Sequence, residues 1–121
     1  KISYEFLGSI PHTQLPEHYS NSDIFCLPTL HENYGHVIIE ALSYGLPVII
    51  SNNTPWKNLE KSRAGFDLKL NQNNFCNKIE FFQKMKDSDY AIYSKNAIKY
   101  FESINPIKKL IEENINLFAL K

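Results

Sequence analysis

The sequence predicts an α/β fold: a parallel sheet with helices on its faces. Three observations carry that prediction. Two uninterrupted apolar runs, Ile24-Phe25-Cys26-Leu27 and Val48-Ile49-Ile50, flank a helix-length segment from His36 to Tyr44. Gly45 and then Pro47 punctuate the end of that segment, as helix C-termini favour. Runs this apolar belong to strands covered on both faces, and two of them joined by a crossover helix run parallel with a right-handed connection.

The other elements follow in chain order. Residues 2–7, Ile-Ser-Tyr-Glu-Phe-Leu, alternate as a short strand and are stopped by Gly8 and Pro11. Leu15 to Tyr19 reads as a short helix with Pro16 in its first turn. Ile24 to Leu27 is then expected to be buried on both faces, and Pro28 ends it. Beyond the central βαβ unit, Thr54-Pro55 reads as a cap and first-turn proline, opening a helix through Trp56 and Leu59. Phe66 to Leu70 reads as another strand. Ile79, Phe82 and Met85 then mark one helix from Phe75 onward. Ala91, Ile92, Ala97, Ile98 and Phe101 mark a second, and Pro106 to Leu117 a third. Residues 1–70 thus form the α/β portion and residues 71–121 a helical tail, within a single partial domain over residues 1–121. A parallel sheet of three or four strands needs more cover than this chain supplies. Either upstream sequence or a partner chain is expected at its open edge.

Composition narrows the function classes. At 121 residues with 43% hydrophobic and 21% charged residues, the chain can build one core without metal or disulfide staples. No apolar run approaches the roughly 18 residues that cross a bilayer, and the start lacks a signal peptide. Cys26 and Cys76 show no CxxC spacing, which fits a reducing, cytoplasmic setting. Residues 1–60 carry a net charge of −4 and residues 61–121 a net charge of +4. The lysines of the basic half are scattered and form no nucleic-acid footprint. Solvated helix faces explain them best, with peripheral membrane contact or a partner surface as the alternative.

The chemistry is expected beyond the carboxyl ends of the strands, where open α/β sheets hold ligands. That directs attention to Pro28-Thr29-Leu30-His31-Glu32-Asn33-Tyr34-Gly35, which feeds the N-terminus of the His36 helix. Exposed amides and the positive end of the helix dipole suit an anion there, and Gly35 permits close approach; ordinary capping by Asn33 is the plain alternative. Glu40 sits among Val37, Ile38, Ile39, Ala41 and Leu42, on a helix apolar almost all the way round. A carboxylate in such surroundings needs either an internal partner or a polar ligand. Eight positions separate Glu32 from Glu40, which places the two carboxylates on the order of 10 Å apart. The separation exceeds the ~5 to 9.5 Å of glycosidase pairs and fits acids bracketing a long ligand with an anionic middle, such as a nucleoside diphosphate sugar.

Together with Gly45-Leu46-Pro47-Val48-Ile49-Ile50-Ser51, the stretch from Pro28 to Leu42 closely resembles the carboxyl-terminal domain of group 1, or family 4, GT-B glycosyltransferases. The resemblance covers about residues 4–70. It includes Phe6-Leu7-Gly8, the E-x7-E pair Glu32 and Glu40, and Asn53-Thr54-Pro55-Trp56-Lys57-Asn58-Leu59, which is similar to the polysaccharide-building branch. It implies a truncated Rossmann-like domain carrying much of a donor site. Glu32 would contact hydroxyls of the transferred sugar and act as the catalytic residue, and Glu40 would hold the ribose. The backbone of Asn33, Tyr34, Gly35, His36 and Val37 would hold the diphosphate, and Ile10 would lie beside the nucleobase. The implied reaction is retaining and needs no metal or other cofactor. A hexose would pass from a UDP- or GDP-sugar to a polysaccharide or lipid-linked saccharide acceptor, in the cytoplasm or at the inner face of the membrane. The basic residues that clamp the diphosphate, and the acceptor site of an amino-terminal domain, are missing from this sequence. The chain by itself is therefore expected to show little or no transfer.

His31 departs from the family pattern, which usually has a small residue before the first glutamate. The resemblance also implies that the last helices pack toward the amino-terminal domain, leaving Ile107, Leu110, Ile111, Leu117 and Phe118 exposed here. Other signals are weaker. His12, His18, His31 and His36 lack metal-site spacing. Asn52-Asn53-Thr54 matches a glycosylation sequon but reads as a loop. Trp56 reads as a packing anchor rather than a sugar platform. Two other function classes stay open: a nucleotide-sugar epimerase or phosphorylase of the same architecture, and a non-catalytic interaction module.

Overall fold

The computed structural model describes residues 11–28 and 36–104, with only the backbone of His12 and His36. The expected first strand at residues 2–7 and the expected helix from Pro106 lie outside the described residues. A 3-10 turn over His12–Gln14, which the sequence did not announce, leads into α1, Leu15–Ser20, with Pro16 in its first turn. Then come β1 (Phe25–Leu27), α2 (His36–Ser43), β2 (Val48–Ser51), β3 (Gly65–Leu68), α3 (Gln72–Gln83) and α4 (Asp87–Ile104).

The three strands form a parallel sheet in the order β1-β2-β3. β1, α2 and β2 are the predicted βαβ unit, with Cys26 opposite Ile49 and Leu27 opposite Ile50. The central strand β2 is buried along its whole length. Its alternation splits the core in two. Val48 and Ile50 join Ile38, Ala41 and Leu42 of α2 with Ala97 of α4, whereas Ile49 joins Phe66, Phe75 and Phe82 under α3. Each fully buried aliphatic side chain of this kind contributes about 1.5–3 kcal/mol.

β1 corrects the expectation of burial on both faces. Phe25 and Leu27 pack against the α2 side of the core, but Cys26, pointing the other way, is exposed. β1 is the edge strand of the described sheet, and α3 makes its sheet contacts with β2 and β3. An apolar run reads the same in a central strand as in one covered on a single face.

The expected helix over Thr54 to Leu59 is also corrected, because these residues form turns and irregular chain. Thr54 does accept the Trp56 N–H, at 3.2 Å, as a capping residue would. The helix then fails to propagate because Asn58 adopts a positive φ of 62°. Leu59 N–H donates to Asp67 Oδ1 at 3.1 Å instead of to a helical carbonyl. α3 starts earlier than predicted, at Gln72, because Asn71 Oδ1 accepts the Asn74 N–H at 2.8 Å, an N-cap bond.

The helical portion over residues 71–104 packs onto the sheet layer. α4 fastens three connections with side-chain hydroxyls: Tyr90 donates to the Asp23 carbonyl at 2.6 Å, Ser94 to that of Gly45 at 2.7 Å and Tyr100 to that of Lys57 at 2.7 Å. Ala97 is fully buried between them, whereas Ile92 and Ile98, which marked this helix in the sequence, are 45% and 41% exposed.

Candidate functional site

The carboxyl ends of β1 and β2 lie side by side in the sheet, and ligands of open α/β sheets bind beyond such strand ends. Of the predicted site residues, Ile10, Glu32, Asn33, Tyr34 and Gly35 lie outside the described residues, as does His31. His36 is described as the first residue of α2 through its backbone alone. Val37 follows, half-buried against the α2 side of the core. The first four N–H groups of any α-helix lack helical acceptors, and here they belong to His36 through Ile39.

Glu40 lies about 6 Å along the axis from the start of α2. It is half-buried, less enclosed than the apolar sequence around it suggested. Its backbone carbonyl accepts the Ser43 hydroxyl at 2.6 Å. Its carboxylate faces Tyr19 of α1, whose hydroxyl donates to Glu40 Oε2 at 3.5 Å. An internal partner for the glutamate, one of the two alternatives the sequence left open, is therefore present.

Sequence reasoning passed over Tyr19. It is 5% exposed, with its ring edge-on to Phe25 at 6.2 Å and tilted against Tyr44 at 5.4 Å. Burial first, then the charge and hydrogen bond of Glu40 and the proximity of Tyr44, push its hydroxyl up from 10.0 to about 12. The hydroxyl therefore remains a donor across the neutral and mildly alkaline range. The available signal was chemical rather than periodic, since a buried tyrosine requires a partner for its O–H.

The segment after β2 leaves the neighbouring strand end. Ser51 is fully buried at the strand end and accepts the Asn53 N–H at 3.3 Å. Thr54 is buried as well. Trp56 is half-buried and packs on the α2 side of the core, as an anchor should. Its buried indole N–H has no hydrogen-bond partner among the described residues. Among the described residues, no group of three His, Cys, Asp or Glu side chains is arranged to hold a metal ion. No helix among them is long and apolar enough to cross a membrane.

Comparison with known proteins agrees with this architecture. The fold is similar to that of sucrose-phosphate synthase from Thermosynechococcus elongatus, with a TM-score of 0.67 and 23% identity over 97% of this chain and 31% of that one. At this identity the match speaks for the fold alone. The chain is 30% identical to the GtfA subunit of UDP-N-acetylglucosamine-peptide N-acetylglucosaminyltransferase of Streptococcus parasanguinis, over 93% of this chain and 25% of that protein. It is 41% identical to O-antigen chain mannosyltransferase B of Escherichia coli, over 40% of this chain and 13% of that protein. The chain thus spans a quarter or less of the length of these curated relatives. Residues 1–100 match the family described as glycosyl transferases group 1, and it is to this family of transferases that the chain belongs.

Proposed function

We propose that this chain is the donor-binding part of a retaining, metal-independent glycosyltransferase that moves a hexose from a nucleoside diphosphate sugar to a polysaccharide or lipid-linked acceptor. The observation that carries the reading is Glu40: a half-buried carboxylate one turn inside a helix that starts just beyond the carboxyl end of a parallel strand. In this reading Glu40 accepts hydrogen bonds from the ribose hydroxyls, and Glu32 engages the hydroxyls of the transferred sugar. The amides of Asn33 to Val37 hold the diphosphate at the positive end of the α2 dipole, and Ile10 flanks the base. A relative named for UDP-N-acetylglucosamine supports a nucleotide sugar as donor, and one named for mannosyl transfer supports a hexose as the group moved.

The bond from the anomeric carbon to the diphosphate oxygen breaks, and the electron pair leaves with the nucleotide. The acceptor hydroxyl forms the new bond and loses its proton. Amides fixed at a helix N-terminus stabilise the departing charge without reorganisation. Basic side chains for the diphosphate come from an earlier segment of the same domain, and the acceptor site comes mainly from an amino-terminal domain. The reaction is cytoplasmic, with the acceptor presented from the inner face of the membrane when it is lipid-linked.

Kinetics test the assignment. With an amino-terminal domain present, Glu40→Ala should weaken donor use by 10-fold or more, since a charged hydrogen bond to bound ligand contributes about 1.5–3 kcal/mol. Unchanged donor kinetics would remove Glu40 from the site.

A further inference from the structure

We propose that Tyr19 is a positioning residue for the nucleotide sugar: its hydroxyl aims the Glu40 carboxylate at the ribose. The inference rests on the donor-site reading of Glu40 given above. Three elements converge on the ring, which stands on α1, meets Phe25 of β1 edge-on and leans on Tyr44 of α2. At 5% exposure in this packing the ring has little freedom to follow Glu40, so the glutamate side chain must come to the hydroxyl. The contact bridges 21 positions of sequence. The backbone of Glu40 is tied separately, through the Ser43 hydroxyl on its carbonyl at 2.6 Å.

A glutamate is among the side chains that lose most rotamer freedom when immobilised. A fixed donor that settles its orientation beforehand reduces the entropic cost of ligand binding. The 3.5 Å separation from Oε2 is long for an O–H donor to a carboxylate. Such contacts commonly shorten when ligand closes a site. The hydroxyl keeps its proton up to about 12, so it donates at every pH at which binding would be measured.

The test measures the affinity of the 121-residue chain for UDP- and GDP-sugars in four forms: unaltered, Tyr19→Phe, Glu40→Gln and the double variant. Tyr19→Phe keeps the ring and loses only the donor. It should weaken binding about 3- to 10-fold while the urea unfolding midpoint stays put. Glu40→Gln should weaken binding more, and the double variant should bind no worse than Glu40→Gln, because Tyr19 acts only through that carboxylate. Independent effects that multiply in the double variant would reduce Tyr19 to a packing residue and overturn the proposal. So would Tyr19→Phe affinity within about twofold of the unaltered chain while Glu40→Gln weakens binding, since a lost donor should cost more. If Glu40→Gln leaves affinity unchanged, the donor-site reading itself falls. In the unaltered chain the Tyr19 ring carbon bearing the hydroxyl should shift on saturation with nucleotide sugar. A signal that stays fixed under saturation also overturns the proposal, whether or not the Phe variant folds.

Discussion

Replacing Gly65 with alanine should come close to unfolding the chain. A methyl group at this position would lie 2.0 Å from the Val48 carbonyl oxygen and 2.7 Å from the Val48 nitrogen, both backbone atoms. The φ of 148° is itself a conformation that side-chain-bearing residues rarely adopt. β2 and β3 must separate where Val48 pairs with Gly65 and where Val48 N–H donates to the Ala64 carbonyl at 3.1 Å. Loss of about two ladder bonds at about 1 kcal/mol each, added to about 1–3 kcal/mol of backbone strain, gives about 3–5 kcal/mol. A domain of this size holds about 5–15 kcal/mol in all.

Gly45→Ala is the matched control. Its φ is also positive, 75°, but the methyl would meet the Ser94 hydroxyl oxygen at 2.9 Å, a side chain that can rotate away by giving up its bond to the Gly45 carbonyl. That variant should lose about 2–3 kcal/mol. Urea unfolding followed by far-ultraviolet circular dichroism and by fluorescence of Trp56, the single tryptophan, measures both. Gly65→Ala proving as stable as Gly45→Ala would refute the reasoning.

Two further predictions concern stability. The Tyr19 phenol loses its proton near 10.0 when unfolded and only at about 12 when folded, so the folded state binds more protons between those values. This contribution is fully present below pH 10 and falls away toward pH 12; about 1 kcal/mol of it is lost between pH 9 and pH 11, a loss that Tyr19→Phe should not show in urea titrations at those two pH values. Tyr90, Tyr93 and Tyr100 are raised by burial in the same direction, so the difference between the two proteins, rather than either curve, isolates Tyr19. Trp56→Phe removes a buried donor with no partner among the described residues and should cost less than about 1 kcal/mol by circular dichroism, against about 3–5 for Trp56→Ala. A loss above about 2 kcal/mol for the Phe variant would mean that the indole N–H is satisfied in solution.

The central βαβ unit was legible because Gly45, Pro47 and two uninterrupted apolar runs are local signals that tertiary packing has no reason to override. The burial of β1 was not, because an apolar run does not disclose whether one or two layers cover it, and Cys26 stands on the uncovered side. The Thr54 segment misled for the opposite reason. Its capping bond forms as the sequence suggested, but the chain turns at Asn58 because Asp67, distant in sequence, takes the Leu59 N–H. Within the candidate site Glu40 stood out as a charge on an apolar helix. Tyr19 did not, because its role is defined by a residue 21 positions away that only folding brings near.

The most direct measurement is a calorimetric titration of this chain with UDP, GDP and their hexose conjugates, with Glu40→Ala in parallel and each titration run both with divalent metal and with chelator. Saturable binding of one nucleotide series that is lost in Glu40→Ala and indifferent to chelator is the predicted result. Equal binding by both proteins, or binding that requires a divalent metal, would contradict a metal-independent donor site built around Glu40.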